Sequence, residues 1–501
     1  MLQNSLKYDL IVIGGGATGS GIALDASLRG MSVLLLEQND FAEGTSSRST
    51  KLVHGGVRYL EAAVKHLDKE QYALVKEGLK ERYRLLKNAP HLSHKISLIT
   101  PIYHWWEIPY VYIGLKMYDL ISGRYRIGKS SLLSKKNALS TNQNIKKEGL
   151  KAAVKYYDGA FNDARMVIAL LQSAQETGAE VKNYTKVEEF IFEEGKIVGL
   201  KAFDKIKNEY QDYYAKHIVN ATGVFADSIR QMADAKVQKI IRPSSGIHIV
   251  LDKKFLPSKE GLMIPKTKDD RVLFVLPYLD RCLVGTTDRE DSIQEHPQVS
   301  EEDVEYLLEH INQYFDMRVT KKDIKASFCG LRPLVDLHPD EDSAELVREH
   351  IIEELPCGLL SITGGKWTTY RSMAEELVDI VVKKEGLNKS SKTKEYRVVG
   401  SQKDLKNLKQ ELKKSYSDEK LIDRLISFYG DRAEDILQIA KNEVGFEYLD
   451  EKYKILKAEY IYAQRHEYVK KPEDFVSRRV CISFVDHDEE KKLLEKLNEF
   501  F

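Results

Sequence analysis

Three glycines near the start of the chain, Gly14, Gly16 and Gly19, stand at GxGxxG spacing. That spacing brings backbone N–H groups against a pyrophosphate. Gly14 permits a tight turn, Gly16 lets a phosphate approach the main chain, and Gly19 lets a helix pack closely on the preceding strand. A loop of small hydroxyl donors follows at Thr45-Ser46-Ser47-Arg48-Ser49-Thr50-Lys51. Two more glycine turns come far along the chain, at Ala221-Thr222-Gly223 and Gly364-Gly365-Lys366. Together these segments have the donors to hold a long, phosphate-bearing ligand.

The elements that would position them are legible. Tyr8 to Ile13 is a β-rich apolar run, as in a strand buried on both faces. A helix pattern runs through Ile22, Ala23, Ala26 and Leu28 and stops at Gly30. A second strand, Ser32 to Leu36, ends at Glu37, whose carboxylate can accept hydrogen bonds from ribose hydroxyls. The unit is βαβ, and the N-terminus of its helix offers free N–H groups and a positive dipole end to phosphates. NAD and FAD both use this fingerprint. The hydroxyl-rich loop and the return of distant segments to the same sheet favour FAD, because an NAD domain is normally contiguous.

The remaining chain supplies the frame. It has 501 residues, and a single core stops growing near 250–300 residues, so two or three domains are expected. Apolar residues make up 42% and charged residues 31%, which excludes wholesale disorder. Basic and acidic residues number 77 each, and zero net charge argues against non-specific nucleic-acid binding. The four cysteines form no CxxC pair and no zinc spacing, so no metal site and a reducing compartment are expected. No signal peptide and no membrane-spanning run is visible. Residues 60–90 read as a long helix ended by Asn88-Ala89-Pro90, residues 101–121 as aromatic and irregular, and 129–151 as a lysine-rich stretch without clear pattern. A helix is expected from Asp163 to Gly178, a strand meander from Val181 to Asn220, and antiparallel strands through 241–290. Another strand, Leu359 to Ile362, leads to a helix from Thr369, and Ser390 to Lys394 reads as a linker before amphipathic helices over 402–501.

From His54-Gly55-Gly56-Val57-Arg58-Tyr59-Leu60 onward the sequence resembles the FAD-dependent glycerol-3-phosphate dehydrogenases. The likeness continues through Ala89-Pro90-His91-Leu92, Gly114 to Asp119, Asp163-Ala164-Arg165, Asn220 to Gly223, and Gly246 to Val250. It closes with Val284 to Asp288, Gly330 to Leu334 and Gly364 to Arg371, all in the family's order, and the tail carries Asp474-Phe475 and Arg478-Arg479. The resemblance implies an α/β protein with an FAD-binding Rossmann-like domain, an antiparallel-sheet substrate (cap) domain and a C-terminal all-α domain. The oxidoreductase region would be 1–385, with FAD-binding parts about 1–75, 150–235 and 350–385 and substrate parts about 76–149 and 236–349; the helical domain would be 386–501.

The implied reaction is oxidation of sn-glycerol 3-phosphate to dihydroxyacetone phosphate, with a hydride passing from C2 to FAD and electrons going on to membrane quinone. Cofactor contacts are implied at Gly14, Gly16, Thr18, Gly19, Glu37, Ser46, Ser47, Lys51, Leu52, Val187, Thr222, Gly223, Gly364, Gly365, Lys366 and Thr368. The phosphate dianion calls for cations, and Arg58, Arg332, Arg348 and Lys366 are the candidates, with His248 and Tyr59 as neutral donors. Removing the hydroxyl proton calls for a base near neutrality: His54 and His248 both qualify, and the sequence does not choose between them. Arg332 could also stabilise the developing alkoxide. A peripheral enzyme on the cytoplasmic face of the inner membrane is implied, and a homodimer is left open. The stretch Trp105 to Tyr112 reads as packing inside the protein rather than as an interfacial segment. The rivals are a glycerophosphate oxidase using oxygen, for whose insertion the sequence has no room, another flavin amine or hydroxy-acid oxidase, and a non-catalytic flavin-binding protein.

Overall fold

A computed structural model describes residues 8–56, 68–269, 271–336 and 350–499. Its first sheet has the order His350–Glu354, Leu360–Gly364, Glu209–Asn220, Tyr8–Ile13, Val33–Leu36, Glu180–Lys182. The inner pairs are parallel, and His350–Glu354 closes one edge in the antiparallel sense. Tyr8–Ile13 is central, so its apolar run has no solvent face. The register sets Ile13 beside both Leu36 and Asn220, which brings three strand ends to one edge. The meander Thr185–Glu193, Lys196–Asp204 and Glu209–Asn220 turns at Glu194-Gly195 and feeds its last strand into this sheet.

The helix Ala17–Leu28 is buried nearly all round between the helices Asp163–Glu176 and Tyr370–Lys384. Small residues make that possible: a Cβ on Gly21 would stand 2.9 Å from the Tyr370 ring and 3.2 Å from Ala374 Cβ. A helix flanked on two sides needs no amphipathic stripe.

The second sheet runs Arg289–Glu290, Ile241–Asp252, Arg281–Gly285, Leu273–Tyr278, Gly261–Ile264, Ser93–Ile102, Ala152–Phe161, Leu52–Val53. Ile324–Val335 pairs along the length of Ile241–Asp252 as well. The expected antiparallel platform is present with one exception: Gly261–Ile264 runs parallel to Ser93–Ile102. Ala152–Phe161 joins this sheet, although the sequence reading groups it with the cofactor segments.

Four local expectations change. The helix expected over 60–90 begins at Lys69, where the Asp68 side chain accepts from the N–H groups of Glu70 and Gln71 at 2.8 and 3.1 Å; Val57 to Lys65 and onward to Leu67 lie outside the described residues. The stretch read as irregular holds a helix, Glu107–Ser122. Its aromatics lower helix propensity, but Pro109 falls in the first turn, where a missing N–H costs no hydrogen bond. Residues 129–151 hold a short strand, Ser131–Ser134, and a helix, Lys135–Thr141, that opens on Ser134. The supposed linker is pinned: Ser391 donates to Asp25, and Thr393 accepts from Arg371 at 3.1 Å.

The tail is helical, with one small hairpin at Tyr448–Asp450 and Ile455–Leu456. It is bolted to the first sheet by buried charge. Arg479 and Arg478 bracket Asp40, at 2.7 and 2.5 Å, and Arg165 grips Glu467 with two bonds of 2.6 Å. Burial alone would raise the Asp40 carboxyl, but the two guanidiniums outweigh it and hold it at about 2. No helix among the described residues is long and apolar enough to cross a membrane.

Candidate active site

The strand ends of the first sheet open on a cleft of about 390 Å³. Gly14, Gly16 and Thr18 form its floor with Ala221, Thr222 and Gly223. The glycines are demanded by close approach: Gly14 has φ +111°, and a Cβ there would come within 2.6 Å of the Ala221 carbonyl. A Cβ on Gly19 would strike the Gly14 carbonyl at 1.9 Å, so Gly19 serves the helix–strand contact and does not line the cleft. Glu37 lines the cleft and accepts from the N–H groups of Gly15 and Asn39, at 2.7 and 2.9 Å. Burial pushes its carboxyl up against those two bonds. Ser46, Val187, Gly364, Gly365 and Lys366 complete the wall.

Four expected cofactor residues besides Gly19 lie outside this cleft. Lys51 is buried, with Nζ donating to the Ser47 carbonyl and to Asp163, both at 2.6 Å, so its ammonium does not face the cleft. Ser47 is buried beside it. Leu52 and Thr368 line a second cavity.

That second cavity, about 690 Å³, is lined by strands of the second sheet, the helix Glu107–Ser122 and the loop that follows Leu360–Gly364. It shares Thr45, Pro333, Gly365, Lys366 and Trp367 with the cleft, so the two spaces meet beside Lys366. Its lining is polar at Thr50, His54, His248, Thr286, Asp288 and Arg332 and apolar at Tyr110, Ile113, Met117, Met263 and Phe274.

Strand register brings His248 and Arg332 to one face. His248 opposes Phe328, and Arg332 opposes Ser244, on antiparallel neighbours. Both residues are therefore an even number of steps from the same cross-strand pair. Glycines clear the space for them: a Cβ on Gly246 would meet Arg332 Nη2 at 2.3 Å. Arg332 is fixed on several sides. Its Nη1 donates to Asp288 and to the Ser245 carbonyl at 3.1 Å, and its Nη2 to Thr286 Oγ1 and the Thr287 carbonyl at 3.1 and 2.9 Å.

His248 stacks on Phe328 at 4.8 Å and pairs through Nε2 with Thr50 Oγ1 at 3.0 Å, while its Nδ1 is enclosed without a partner. Burial, then Lys51 and Arg332, hold its imidazole well below its usual range. His54 is half-buried, and its ring nitrogens have no hydrogen-bond partner among the described residues. Burial, then Lys366 and Arg82, pull it down to about 4. Both imidazoles are neutral at neutral pH.

Arg58, Tyr59 and Arg348 lie outside the described residues. Sequence reasoning gave no role to Asp288, Tyr118 or Asp158, all of which hold site groups in place. Asp288 follows a strand-ending Gly285-Thr286-Thr287 turn, a readable signal; the other two sit in runs with no chemical pattern. Trp105 and Trp106, expected to pack inside the protein, are 67% and 71% exposed. No cluster of potential metal ligands occurs among the described residues.

A dinucleotide-type sheet whose cleft runs into a cavity with paired histidines and a fixed arginine defines a nucleotide-cofactor oxidoreductase. The FAD dependent oxidoreductase family matches residues 9–379, and the C-terminal domain of alpha-glycerophosphate oxidase matches 391–501. A mitochondrial glycerol-3-phosphate dehydrogenase of Arabidopsis thaliana is 40% identical over 98% of this chain and 82% of its own length. The mitochondrial enzyme of Rattus norvegicus is 40% identical over 99% of this chain and 70% of its own. The solved glycerol-3-phosphate dehydrogenase of Bacillus halodurans, complexed with FAD, superposes with a TM-score of 0.77 at 30% identity, covering 98% of this chain and 94% of that one. The chain belongs to the FAD-dependent glycerol-3-phosphate dehydrogenase family.

Proposed function

We propose that this protein binds FAD and oxidises sn-glycerol 3-phosphate to dihydroxyacetone phosphate, with membrane quinone as the final acceptor. The observation that carries this reading is the meeting of cleft and cavity at Lys366, with His54, His248 and Arg332 gathered just beyond. The cleft fits the cofactor: its glycine floor admits a pyrophosphate at the N-terminus of Ala17–Leu28, and Glu37 stands where ribose hydroxyls would donate. Bound there, FAD supplies the acceptor for the hydride leaving substrate C2.

The chain's own groups do the rest. Arg332 and Lys366 hold the phosphate, with Arg58, Tyr59 and Arg348 as further expected partners. The bonds to Asp288, Thr286 and Thr287 fix the Arg332 guanidinium before substrate arrives, so little ordering is left to binding. His54 takes the C2 hydroxyl proton on an imidazole nitrogen. It is preferred to His248 because its ring has no competing hydrogen bond, whereas His248 Nε2 is engaged by Thr50. The substrate dianion offsets the Lys366 charge, the second cause of its lowered basicity after burial. His248 orients the substrate as a neutral group. The apolar lining excludes water from the reacting carbon.

The helix Glu107–Ser122 supports the acceptor side of this reading. Tyr110, Ile113 and Leu120 are 52%, 57% and 79% exposed and continue the face begun by Trp105 and Trp106. Their spacing puts them on one side of the helix, and Tyr110 and Ile113 also line the cavity. This face rests on the membrane surface, where Trp and Tyr are favoured. In co-sedimentation with lipid vesicles, W105S/W106S should release the protein; unchanged binding would overturn this placement.

Turnover tests the reaction. Purified holoenzyme should reduce a soluble quinone analogue with sn-glycerol 3-phosphate, while unphosphorylated glycerol is inert and oxygen consumption is slow. Equal turnover of glycerol would overturn the substrate, and faster use of oxygen than of quinone would overturn the acceptor.

A further inference from the structure

The His54 turn is held from behind by a buried chain of polar side chains. The Gly55 N–H donates to Tyr118 Oη at 2.8 Å, and the Tyr118 hydroxyl donates to Asp158 Oδ1 at 2.9 Å. Arg82 Nη1 donates to the same carboxylate oxygen at 2.6 Å and to the Tyr157 carbonyl at 3.2 Å. Arg82, Tyr118 and Asp158 are 1%, 1% and 2% exposed, so each bond is made out of water. Burial, then the Asp158 carboxylate, keeps the tyrosine hydroxyl protonated and able to donate.

The packing leaves the turn one place to sit. A Cβ on Gly55 would come within 2.6 Å of Leu79 Cγ and 3.0 Å of Tyr118 Oη. Across from it, a Cβ on Gly78 would stand 3.1 Å from Gly55 Cα. The turn is thus wedged between Lys69–Asn88, which carries Arg82, and Glu107–Ser122, which carries Tyr118. On its other side the His54 N–H reaches Thr368 Oγ1 at 3.3 Å. The peptide joining His54 to Gly55 is tied through its N–H to Tyr118 at 2.8 Å, whereas Thr368 meets the preceding peptide, Val53–His54, at 3.3 Å.

We infer that Tyr118, oriented by Asp158 and Arg82, is the positioning residue for His54: its hydroxyl fixes the His54–Gly55 peptide and so sets where the imidazole meets the substrate hydroxyl. Tyr118 lines neither the cleft nor the cavity, whereas Asp158 lines the cavity. This assignment rests on the reading of His54 as proton acceptor, and it extends that reading to three residues with no role so far. The penalty for loosening the link is misplacement of the acceptor, not loss of substrate binding, and misplacement near 1 Å costs about 100-fold in rate.

The test is a cycle of Y118F, H54A and the double variant, measured as holoenzymes of checked flavin content and unfolding midpoint. Y118F removes one hydroxyl from a buried ring and leaves the packing intact. The expected result is a fall in kcat of about 10- to 100-fold with KM for sn-glycerol 3-phosphate unchanged. H54A should fall further, and the double variant should match H54A alone, because a positioning group has nothing to position once the imidazole is gone. D158N, which keeps an acceptor oxygen, should shift kcat in the same direction by less. Normal kcat in Y118F beside a damaged H54A would overturn the positioning role and leave the proton acceptor standing. Additive losses in the double variant, or a raised KM with kcat intact, would overturn it as well. Full activity in H54A would overturn the proton acceptor and the positioning role together.

Discussion

The imidazole of His248 occupies the space a side chain on Gly285 would need. A Cβ built on Gly285 falls 2.2 Å from His248 Cδ2 and 2.8 Å from Cγ. The two residues face each other on antiparallel strands, so neither can step aside without breaking register. The glycine is therefore part of the site, although it has no functional group.

Gly285→Ala should push the imidazole off Phe328 and away from Thr50. The expected loss in kcat/KM is about 100-fold, with flavin content unchanged because the cofactor cleft is not touched. Steady-state kinetics on flavin-matched protein checks this; activity within twofold of the parent would show that the strand yields instead.

Arg332 makes a fork that meets Asp288, Thr286 and Thr287 at once. Lysine keeps the charge and loses the fork. Arg332→Lys should lower kcat/KM roughly 10- to 100-fold, as expected for losing charge-assisted bonds of about 1.5–3 kcal/mol. The loss should be absent for unphosphorylated analogues if the guanidinium acts on the phosphate alone.

How much of this was readable from sequence differs by kind of signal. The cleft was legible because Gly14, Gly16 and Glu37 serve it through local geometry, within one βαβ unit. His248 and Arg332 stand 84 positions apart, and only their strand register, invisible in a string, puts them on one face. Lys51 shows the opposite failure. It sits in the hydroxyl-rich loop, yet its ammonium turns inward to Asp163, whose buried carboxylate would otherwise be left an uncompensated charge. The helix Glu107–Ser122 was missed because its aromatic face is exposed instead of buried, which removes the periodicity that marks an ordinary surface helix. Tyr118 and Asp158 were illegible, since nothing local distinguishes a tyrosine that holds a backbone N–H from one that fills a core.

Acid should weaken the fold through its buried histidines. Burial, then Lys366 and Arg82, set His54 at about 4, and burial, then Arg165, set His91 at about 3. Unfolded, both titrate near 6.5. Between about 6.5 and 3 the unfolded chain thus binds more protons, so stability is full above 6.5 and is lost as pH falls through that window. The urea midpoint should drop between pH 7.5 and 5, and His91→Gln should make the drop smaller. An equal drop in the variant would show that His91 is protonated in the folded protein.

In the proposed reaction the cleft delivers a flavin to a phosphate-bearing alcohol held at Arg332 and His54. This reaction is tested most directly by mixing yellow, oxidised holoenzyme with sn-glycerol 3-phosphate in the absence of oxygen and following the flavin absorbance. Rapid bleaching by the phosphorylated substrate, none by glycerol, and slow bleaching in Arg332→Lys are the expected results. A yellow protein that sn-glycerol 3-phosphate leaves unbleached would contradict the proposed reaction.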